Sequence, residues 1–174
     1  MLVFNKAEDF TPDELINLKS NYQFRNRIVV NYKPLELVSV YQNDEKLALE
    51  INKRKPCIAL SGIGNSLHFE RTLHKSGFEV VKSIAFRDHY IYTEKDILKI
   101  KSIFKKYSKK DIFTEKLIII TTEKDYRRMQ NNKSFMELAK ESQMYFLSMS
   151  ISLHDKTEMP VIDGFLERLE TTIK

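Results

Sequence analysis

Strand-like and helix-like patterns of hydrophobic residues alternate along the chain from about residue 55. Apolar runs of strand length are followed by segments in which apolar residues recur every three or four positions. Such alternation is typical of a parallel sheet covered by helices on both faces. It predicts an α/β fold, with three α/β/α layers around a mostly parallel sheet. The predicted strands are PCIALSGI (56–63), GFEVVKSIAF (77–86), LIIITT (117–122) and MYFLSMSISL (144–153).

Helices are predicted between these strands and after the last of them. Asn65 or Ser66 can cap the first helix, whose apolar positions Phe69 and Leu73 are four residues apart, and Gly77 stands where a glycine commonly ends a helix. The other predicted helices run from Thr93 to about Tyr107, from about Glu123 to Glu141 as one helix or a pair, and from near Pro160 onward.

The first 42 residues follow a different pattern. The segment LVFNKA is typical of a strand, and Thr11-Pro12 with Glu14 marks the start of a helix. Two short strand-like runs, IVVNY and ELVSVY, flank Lys33-Pro34 and predict a two-stranded ribbon that serves as a linker. A core strand that begins at residue 2, without partners of its own, indicates a chain cut from something longer.

Composition places the chain among soluble globular proteins, since 42% of its 174 residues are hydrophobic and 30% are charged. No apolar run approaches the roughly 20 residues of a membrane span. Charged residues among the first fifteen positions predict that no signal peptide is present. The single cysteine, Cys57, excludes an internal disulfide framework, and its position within the run PCIAL predicts a core side chain rather than a nucleophile.

The net charge of +5 is unevenly distributed. A solvated helix face is the simplest interpretation of the basic clusters, and an anionic membrane surface is the main alternative partner. No nucleic-acid partner is expected, because no zinc-finger or RNP-like motif is present. The clustered basic residues are 53–55, Lys99, Lys101, Lys105, Lys106, Lys109 and Lys110.

The tetrapeptide TEKD occurs twice, at 93–96 and 122–125. Each copy has the form [ST]-x-x-[DE] at a predicted helix start, which is a capping box with Asp in place of Glu. We expect each Thr to accept from a backbone N–H of the first turn and each Asp to reach back. The second copy follows a buried strand directly, so its helix start and Lys124 are also candidates for holding an anion.

Polar segments follow three of the predicted strands: residues 62–65, 88–90 and 121–125. In a parallel sheet these segments meet at the carboxyl edge, where open α/β sheets bind ligands. His89, with Asp88 beside it, is the best candidate for proton chemistry. Gly62-x-Gly64 is a weak dinucleotide signal, because Leu67 stands at the third glycine position. No G-x-x-x-x-G-K-[ST] segment and no metal-ligand spacing is present.

Three ordered segments resemble a known family. SGIGNSLHFERTL, AFRDHYIYTEKD and LIIITTEKDYRRM are similar to the C-terminal lobe of tetraacyldisaccharide 4′-kinase, whose pattern runs approximately SGIGNPxRFxxTL, FPDHHxYT and TEKDxxRL. The opening VFNKAEDFTPDEL resembles the segment that ends the first lobe of that family. Ser66 and Arg87 stand where the pattern has prolines, and Tyr90-Ile91 replace a less apolar pair.

The resemblance implies a kinase of two α/β/α lobes joined by a short β linker. Residues 1–42 would be the end of the N-terminal lobe and the linker, and residues 43–174 the C-terminal lobe. The family's membrane anchor and P-loop belong to the N-terminal lobe, which is therefore an expected partner. ATP and Mg²⁺ are the implied cofactors, with their ligands mostly on that lobe.

The resemblance also assigns roles to particular residues. Asp88 and His89 would be catalytic, with His89 either tuning the base that accepts the sugar hydroxyl proton or stabilising the transferred charge. No metal ligand is expected in this chain. Substrate- or nucleotide-binding roles fall on Gly62, Gly64, Asn65, Tyr92, Thr122, Glu123, Lys124, Asp125 and Arg128.

The expected function is that of a kinase lobe, which contributes to transfer of the ATP γ-phosphoryl to the 4′-hydroxyl of the tetraacyldisaccharide 1-phosphate lipid A precursor. Without the P-loop lobe we expect it to be inactive. Peripheral association with the cytoplasmic face of the bacterial inner membrane is implied. Two alternatives stay open: a stand-alone nucleotide-binding module that uses SGIGN, and a non-catalytic membrane-surface interaction domain.

Overall fold

The computed structural model describes residues 2–5, 11, 13, 14, 16, 17, 27–42, 45–49, 54–109 and 115–153. Two compact units are distinguished, one formed by Met1–Lys33 with Met149–Lys174 and the other by Pro34–Ser148. The helix predicted near Pro160 and the side chain of His154 lie outside the described residues. The boundary predicted between residues 42 and 43 stays a prediction.

The first unit begins with strand β1 (Leu2–Asn5), which pairs in parallel with residues 27–30 of strand β2 (Arg27–Ser39). A helical segment follows β1, since residues 13, 14, 16 and 17 are helical. The Thr11 N–H donates to Glu14 Oε2 at 2.8 Å, and the Glu14 N–H donates to Thr11 Oγ1 at 3.3 Å. These reciprocal bonds form a capping box at the helix start that the sequence predicts.

The predicted ribbon of two short strands is wrong. IVVNY and the beginning of ELVSVY belong to one strand, β2, which runs through Pro34 without a turn. The fixed φ of proline suits an extended chain. Pro34 also lies between the residues that pair with β1 (27–30) and those that pair antiparallel with β3 (36–38), so neither ladder needs its missing N–H.

The second unit is built on a mostly parallel sheet, which confirms the predicted α/β fold. Its strands lie in the order β2, β7, β6, β4, β5, and β3 adds to β2. Strand β4 pairs in parallel with β5 on one side and with β6 on the other, and β6 pairs in parallel with β7. The strands are β3 (Lys46–Ala48), β4 (Pro56–Ser61), β5 (Glu79–Ala85), β6 (Ile118–Thr122) and β7 (Met144–Leu153).

Four helices of the second unit start and end at signals that the sequence carries. Asn65 caps the first helix through its side chain, which accepts from the His68 N–H. At the other end, Gly77 has a φ of 92° and its N–H and that of Phe78 bond back to the last turn, as in a Schellman motif. The helices are α1 (Ser66–Lys75), α2 (Glu94–Ser108), α3 (Glu123–Met129) and α4 (Lys133–Ser142).

Two hydrophobic clusters cover the two faces of this sheet and give the three predicted layers. Alternate residues of β4 divide between them, Ile58 and Leu60 on one face and Cys57 and Ala59 on the other. Helices α2, α3 and α4 pack on the first face, and α1 packs on the second. Strands buried on both faces are continuous apolar runs in the sequence, which is why β4 and β6 were located from the hydrophobic pattern.

Cys57 is fully buried, as its sequence context predicts. Burial, with smaller contributions from Glu70 and Glu79, raises the pKa of the Cys57 thiol to about 12. The side chain is therefore a protonated core thiol and not a nucleophile.

Candidate functional site

Three loops leave the carboxyl edge of the sheet side by side, because β4, β5 and β6 are parallel neighbours. Residues 62–65 follow β4, residues 86–93 follow β5, and α3 begins directly after β6. The expected convergence of Gly64, His89 and Thr122 on one edge is therefore confirmed. Direct contacts link side chains or backbone of eight residues there, which we call the edge cluster: Gly62, Asp88, His89, Tyr92, Thr122, Lys124, Asp125 and Arg128.

Asp125 is the centre of the edge cluster. Its side chain has no solvent exposure, and its carboxylate accepts from four donors on three segments. Oδ2 accepts from the Gly62 N–H at 2.9 Å and from Thr122 Oγ1 at 2.6 Å. Oδ1 accepts from the Tyr92 hydroxyl at 3.1 Å and from Arg128 Nη1 at 3.3 Å. Four donors are about what a carboxylate can accept, so little capacity is left for a ligand.

The two TEKD copies perform different tasks. Thr93 and Asp96 form the predicted capping box, in which Asp96 Oδ2 accepts from the Thr93 N–H at 2.9 Å. The side-chain and backbone bonds from Thr93 lower the pKa of Asp96. In the second copy the Asp125 N–H donates to Thr122 Oγ1 at 3.1 Å, but the carboxylate turns inward to the edge cluster rather than back to the cap N–H. The expected reciprocal box is wrong for that copy, because a buried network competes for its carboxylate.

Gly62 is required by packing and not by backbone conformation. Neither Gly62 nor Gly64 has a positive φ, whereas Gly77 does. A Cβ at Gly62 would lie 2.7 Å from the Tyr92 hydroxyl oxygen and 3.0 Å from Asp125 Oδ1. The tight-turn interpretation of SGIGN is therefore incomplete, because its first glycine makes room for the network around Asp125.

Gly62→Ala should lower the free energy of unfolding by about 1 to 3 kcal/mol, the usual cost of overpacking a fixed site. The matched control is Gly64→Ala, whose Cβ would lie at an ordinary 3.4 Å from Asp88 Oδ2, the nearest atom. We expect the control to change stability little. Urea denaturation of both variants measures the difference, and equal effects would contradict the packing role of Gly62.

Tyr92 connects the loop after β5 to Asp125. Burial and the neighbouring Asp125 carboxylate raise the pKa of Tyr92 above its ordinary value, so the hydroxyl keeps the proton that it donates. The Tyr92 ring packs edge-on against Phe86 and Tyr90, with centroids 5.0 and 5.4 Å away. Tyr90 donates to Asp96 Oδ2 at 3.1 Å, which joins the loop to the start of α2.

Asp88 and His89 lie in a turn beyond the end of β5. His89 has a φ of 56°, a left-handed conformation that favours Gly or Asn. Asp88 Oδ1 accepts from the His89 N–H at 2.9 Å, and its Oδ2 lies 3.7 Å from His89 Nε2. The Asp88 carboxylate therefore lies beside the His89 ring, although 3.7 Å is longer than a hydrogen bond. Lys124 Nζ also lies 3.9 Å from Asp88 Oδ1, which places it beside this turn.

Arg128 joins the buried centre of the edge cluster to the exposed histidine. Nη1 donates to the Gly62 carbonyl at 2.9 Å and to Asp125 Oδ1 at 3.3 Å, while Nη2 lies 3.3 Å from His89 Nδ1. Arg128 was predicted as a site residue through the family resemblance and not from its residue type. Its spacing of three from Asp125 is a further signal, since residues three apart on a helix lie side by side.

Three predicted site residues stand apart from these contacts: Gly64, Asn65 and Glu123. Gly64 lies beside Asp88, since a Cβ built on it would be 3.4 Å from Asp88 Oδ2. Asn65 uses its side-chain oxygen to cap α1, accepting from the His68 N–H at 2.9 Å. Glu123 pairs with Arg127 at 3.3 Å on the exposed side of α3.

The described residues contain neither a candidate metal site nor a candidate membrane-spanning helix. Within them, no three His, Cys, Asp or Glu side chains are grouped closely enough to hold a metal ion. In the same part of the chain, no helix is both long and apolar enough to cross a bilayer.

The fold and the edge cluster together define the class of protein. It is an α/β protein with charged residues at the carboxyl edge of a parallel sheet, where such proteins bind ligands. The family follows from sequence. The model of the LpxK family, tetraacyldisaccharide-1-P 4′-kinase, matches residues 2–167. The chain belongs to this family.

Curated relatives agree with this assignment. A tetraacyldisaccharide 4′-kinase of Halothermothrix orenii is 28% identical over 170 residues, which cover 90% of this chain and 42% of the relative. That of Chelativorans sp. (strain BNC1) is 35% identical over 80 residues, covering 46% of this chain and 21% of the relative. The chain thus spans less than half the length of these relatives.

A solved structure shows the same fold. LpxK from Aquifex aeolicus, crystallised as an "apo" form in complex with ATP, superposes with a TM-score of 0.50 and 18% sequence identity. The match covers 94% of this chain and 51% of that one. At this level of identity the likeness supports the fold alone.

Proposed function

We propose that this chain acts as the C-terminal lobe of a kinase that transfers the ATP γ-phosphoryl to the 4′-hydroxyl of tetraacyldisaccharide 1-phosphate. Membership of the LpxK family supports the reaction. The single observation that carries the proposed site is the convergence of Asp88, His89 and Arg128 at the carboxyl edge of the sheet. In this proposal residues 1–42 are the end of the N-terminal lobe and the linker.

The residues of the edge cluster divide into exposed groups that can meet a substrate and buried groups that hold them. His89, Lys124 and Asp88 are exposed, with relative side-chain exposures of 76%, 54% and 45%. Asp125 is buried and, in this proposal, positions the others. Two nitrogen side chains beside one carboxylate fit the phosphate and sugar oxygens of an anionic substrate.

ATP and Mg²⁺ fit this lobe unequally. Lys124 and His89 are suited to contact phosphate oxygens, whereas the described residues offer no three-ligand metal cluster and the Asp125 carboxylate is occupied by protein donors. We therefore propose that Mg²⁺ is held by the P-loop lobe, where it would neutralise phosphate charge. This chain would supply positioning and electrostatic stabilisation.

The chain alone should show no turnover of ATP with a tetraacyldisaccharide 1-phosphate acceptor, because its 174 residues contain no phosphate cradle of P-loop type. Addition of the P-loop lobe of a relative, such as that of Halothermothrix orenii, should restore measurable turnover. The measurement is transfer of labelled γ-phosphate to the lipid. Robust turnover by the chain alone would contradict the two-lobe proposal.

The alternative function is that of a stand-alone nucleotide-binding module, in which the SGIGN segment would contact the nucleotide. Titration of the isolated chain with ATP distinguishes it, since a module of that kind should bind the nucleotide tightly without a second lobe. We expect weak binding, because the Asn65 side-chain oxygen is committed to the α1 cap and the Gly62 N–H to Asp125.

A membrane-surface role is favoured by a separate observation on α2. Its buried residues, Ile97, Ile100 and Phe104, occupy one face. The opposite face, which we call the lysine face, is exposed along its length and carries one large apolar side chain, that of Leu98. We propose that this face contacts anionic lipid at the membrane. The lysine face consists of Lys95, Leu98, Lys99, Ser102, Lys105, Lys106 and Lys109.

Replacement of Lys99, Lys106 and Lys109 by Gln should weaken binding to vesicles that contain phosphatidylserine by about a hundredfold at low salt, since each basic residue near such a surface is worth about 1 kcal/mol. The matched control replaces three exposed lysines outside α2: Lys75, Lys82 and Lys133. Both variants lose three charges, so only a site effect separates them. Binding that is equal in the two variants, or unchanged between low and high salt, would contradict the proposal.

A further inference from the structure

The guanidinium of Arg128 is held in one orientation by the buried part of the edge cluster. Only 22% of its side chain is exposed. Nη1 donates to two acceptors on different segments, the Gly62 carbonyl and Asp125 Oδ1. Asp125 is in turn fixed by Gly62, Thr122 and Tyr92. Because the guanidinium is planar, fixing Nη1 also fixes the direction of Nη2.

The contact between Arg128 and His89 determines which imidazole nitrogen carries the proton. Nη2 lies 3.3 Å from Nδ1, and an arginine side chain can only donate. Nδ1 must therefore be the accepting nitrogen, and the proton of the neutral ring is on Nε2. Nε2 lies 3.7 Å from Asp88 Oδ2, which is beyond hydrogen-bond distance, so this contact leaves the Nε2–H available to a ligand.

We propose that Arg128 is a positioning residue, which holds His89 as the tautomer that is protonated on Nε2. The imidazole then offers the site an N–H donor and not a free lone pair at Nδ1. Of the two roles considered for His89, this favours stabilisation of the transferred charge, by donation from Nε2 to a substrate oxygen, over tuning of the base that accepts the sugar hydroxyl proton. The consequence for phosphoryl transfer rests on the proposed function, whereas the tautomer belongs to the chain itself.

The conformation of His89 gives an independent reason to expect such a role. At a φ of 56° His89 adopts the left-handed conformation, which Asn, Asp and His accept more readily than other residues with a Cβ and which Gly accepts without strain. A histidine occupies this turn, and its ring nitrogens lie 3.3 Å from Arg128 Nη2 and 3.7 Å from Asp88 Oδ2. Glycine would suit the backbone better but has no side chain with which to contact the guanidinium.

The first test is nitrogen-15 NMR of the His89 ring in the isolated chain at alkaline pH, where imidazoles are neutral. We expect the wild-type spectrum to show Nε2 protonated and Nδ1 as a hydrogen-bonded acceptor. Arg128→Lys keeps the positive charge beside Asp125 but lacks the second nitrogen of the guanidinium, which contacts His89. The His89 signals should therefore move toward those of free imidazole, which is a mixture of the two tautomers. Arg127→Lys is the matched control, because Arg127 contacts Glu123 and Tyr126 but makes no contact with His89.

Unchanged His89 signals in Arg128→Lys, or a ring protonated on Nδ1 in the wild type, would overturn the proposal. The signals of His74, which is on the exposed side of α1, serve as an internal standard for both variants. This outcome does not depend on kinase activity, so it is separate from the fate of the proposed function.

The second test is a double-mutant cycle on turnover of the chain joined to a P-loop lobe. If Arg128 acts through His89, Arg128→Lys should lower turnover at least tenfold in the wild-type background and by less than twofold in a His89→Asn background. Equal effects in both backgrounds would show that Arg128 acts independently of His89. Absence of turnover in every variant would count against the proposed function, while the NMR experiment still decides the tautomer.

Discussion

Asp125→Asn should lower the free energy of unfolding by about 3 to 5 kcal/mol, the usual cost of removing one partner from a buried charged network. The substitution keeps the shape of the side chain but replaces one accepting oxygen with a donating NH₂ group. That group would then face two donors, either the Gly62 N–H and the Thr122 hydroxyl at the Oδ2 position or the Tyr92 hydroxyl and the Arg128 guanidinium at the Oδ1 position. Each buried donor left without an acceptor adds to the cost. Urea denaturation monitored by far-UV circular dichroism provides the measurement.

The chain contains its own matched control in the other TEKD segment. Asp96 is the fourth residue of that copy, but it lies at the surface, where it completes the capping box with Thr93. Asp96→Asn should therefore cost about 1 kcal/mol at most. Equal losses of stability in the two variants would contradict the assignment of Asp125 to a buried network and of Asp96 to a surface cap.

The effect of pH on the first copy follows from the direction of its pKa shift. The pKa of Asp96 is lowered in the folded chain, first by the hydrogen bonds from Thr93. A lowered pKa means that the stabilisation is present above the unfolded pKa of about 4 and is lost as the pH falls through the folded value. The stability difference between Asp96→Asn and the wild type should therefore shrink below about pH 4.

His89→Asn should lower turnover by about 10² to 10⁴ in the chain joined to a P-loop lobe, the usual contribution of a positioned group in proton transfer or charge stabilisation. Stability should be retained or slightly increased, because Asn tolerates the left-handed conformation that His89 adopts at a φ of 56°. The two measurements are kcat and a thermal melt of the same preparation.

The control for this variant is His74→Asn, a histidine on the exposed side of α1 whose Nε2 lies 3.9 Å from Glu70 Oε1. We expect it to change neither kcat nor the melting temperature. A large fall in the melting temperature of His89→Asn would indicate a structural histidine, and full retained turnover would exclude a catalytic one. Either result would remove His89 from the proposed site.

The sequence by itself determined the architecture, because the signals it carries are local. Strands buried on both faces must be apolar throughout, so β4 and β6 were visible as continuous runs. The start of α1 at Asn65 and its end at Gly77 depend on single residues whose side chains or φ angles are needed there. Parallel pairing then places the loop residues at one edge, which follows from topology alone.

Only the tertiary structure decided what the edge residues do for one another. The four letters TEKD do not separate Asp96 from Asp125. The strand before the second copy is visible in the sequence, but only the structure shows that Asp125 is buried among donors from other segments while Asp96 completes a cap. Gly62 likewise leaves space for the side chain of Tyr92, a residue 30 positions further along the chain. In the same way, Pro34 was misread as the end of a strand because its effect depends on which neighbours need its N–H. Such outcomes depend on which side chains the fold brings together, and no window of sequence contains that information.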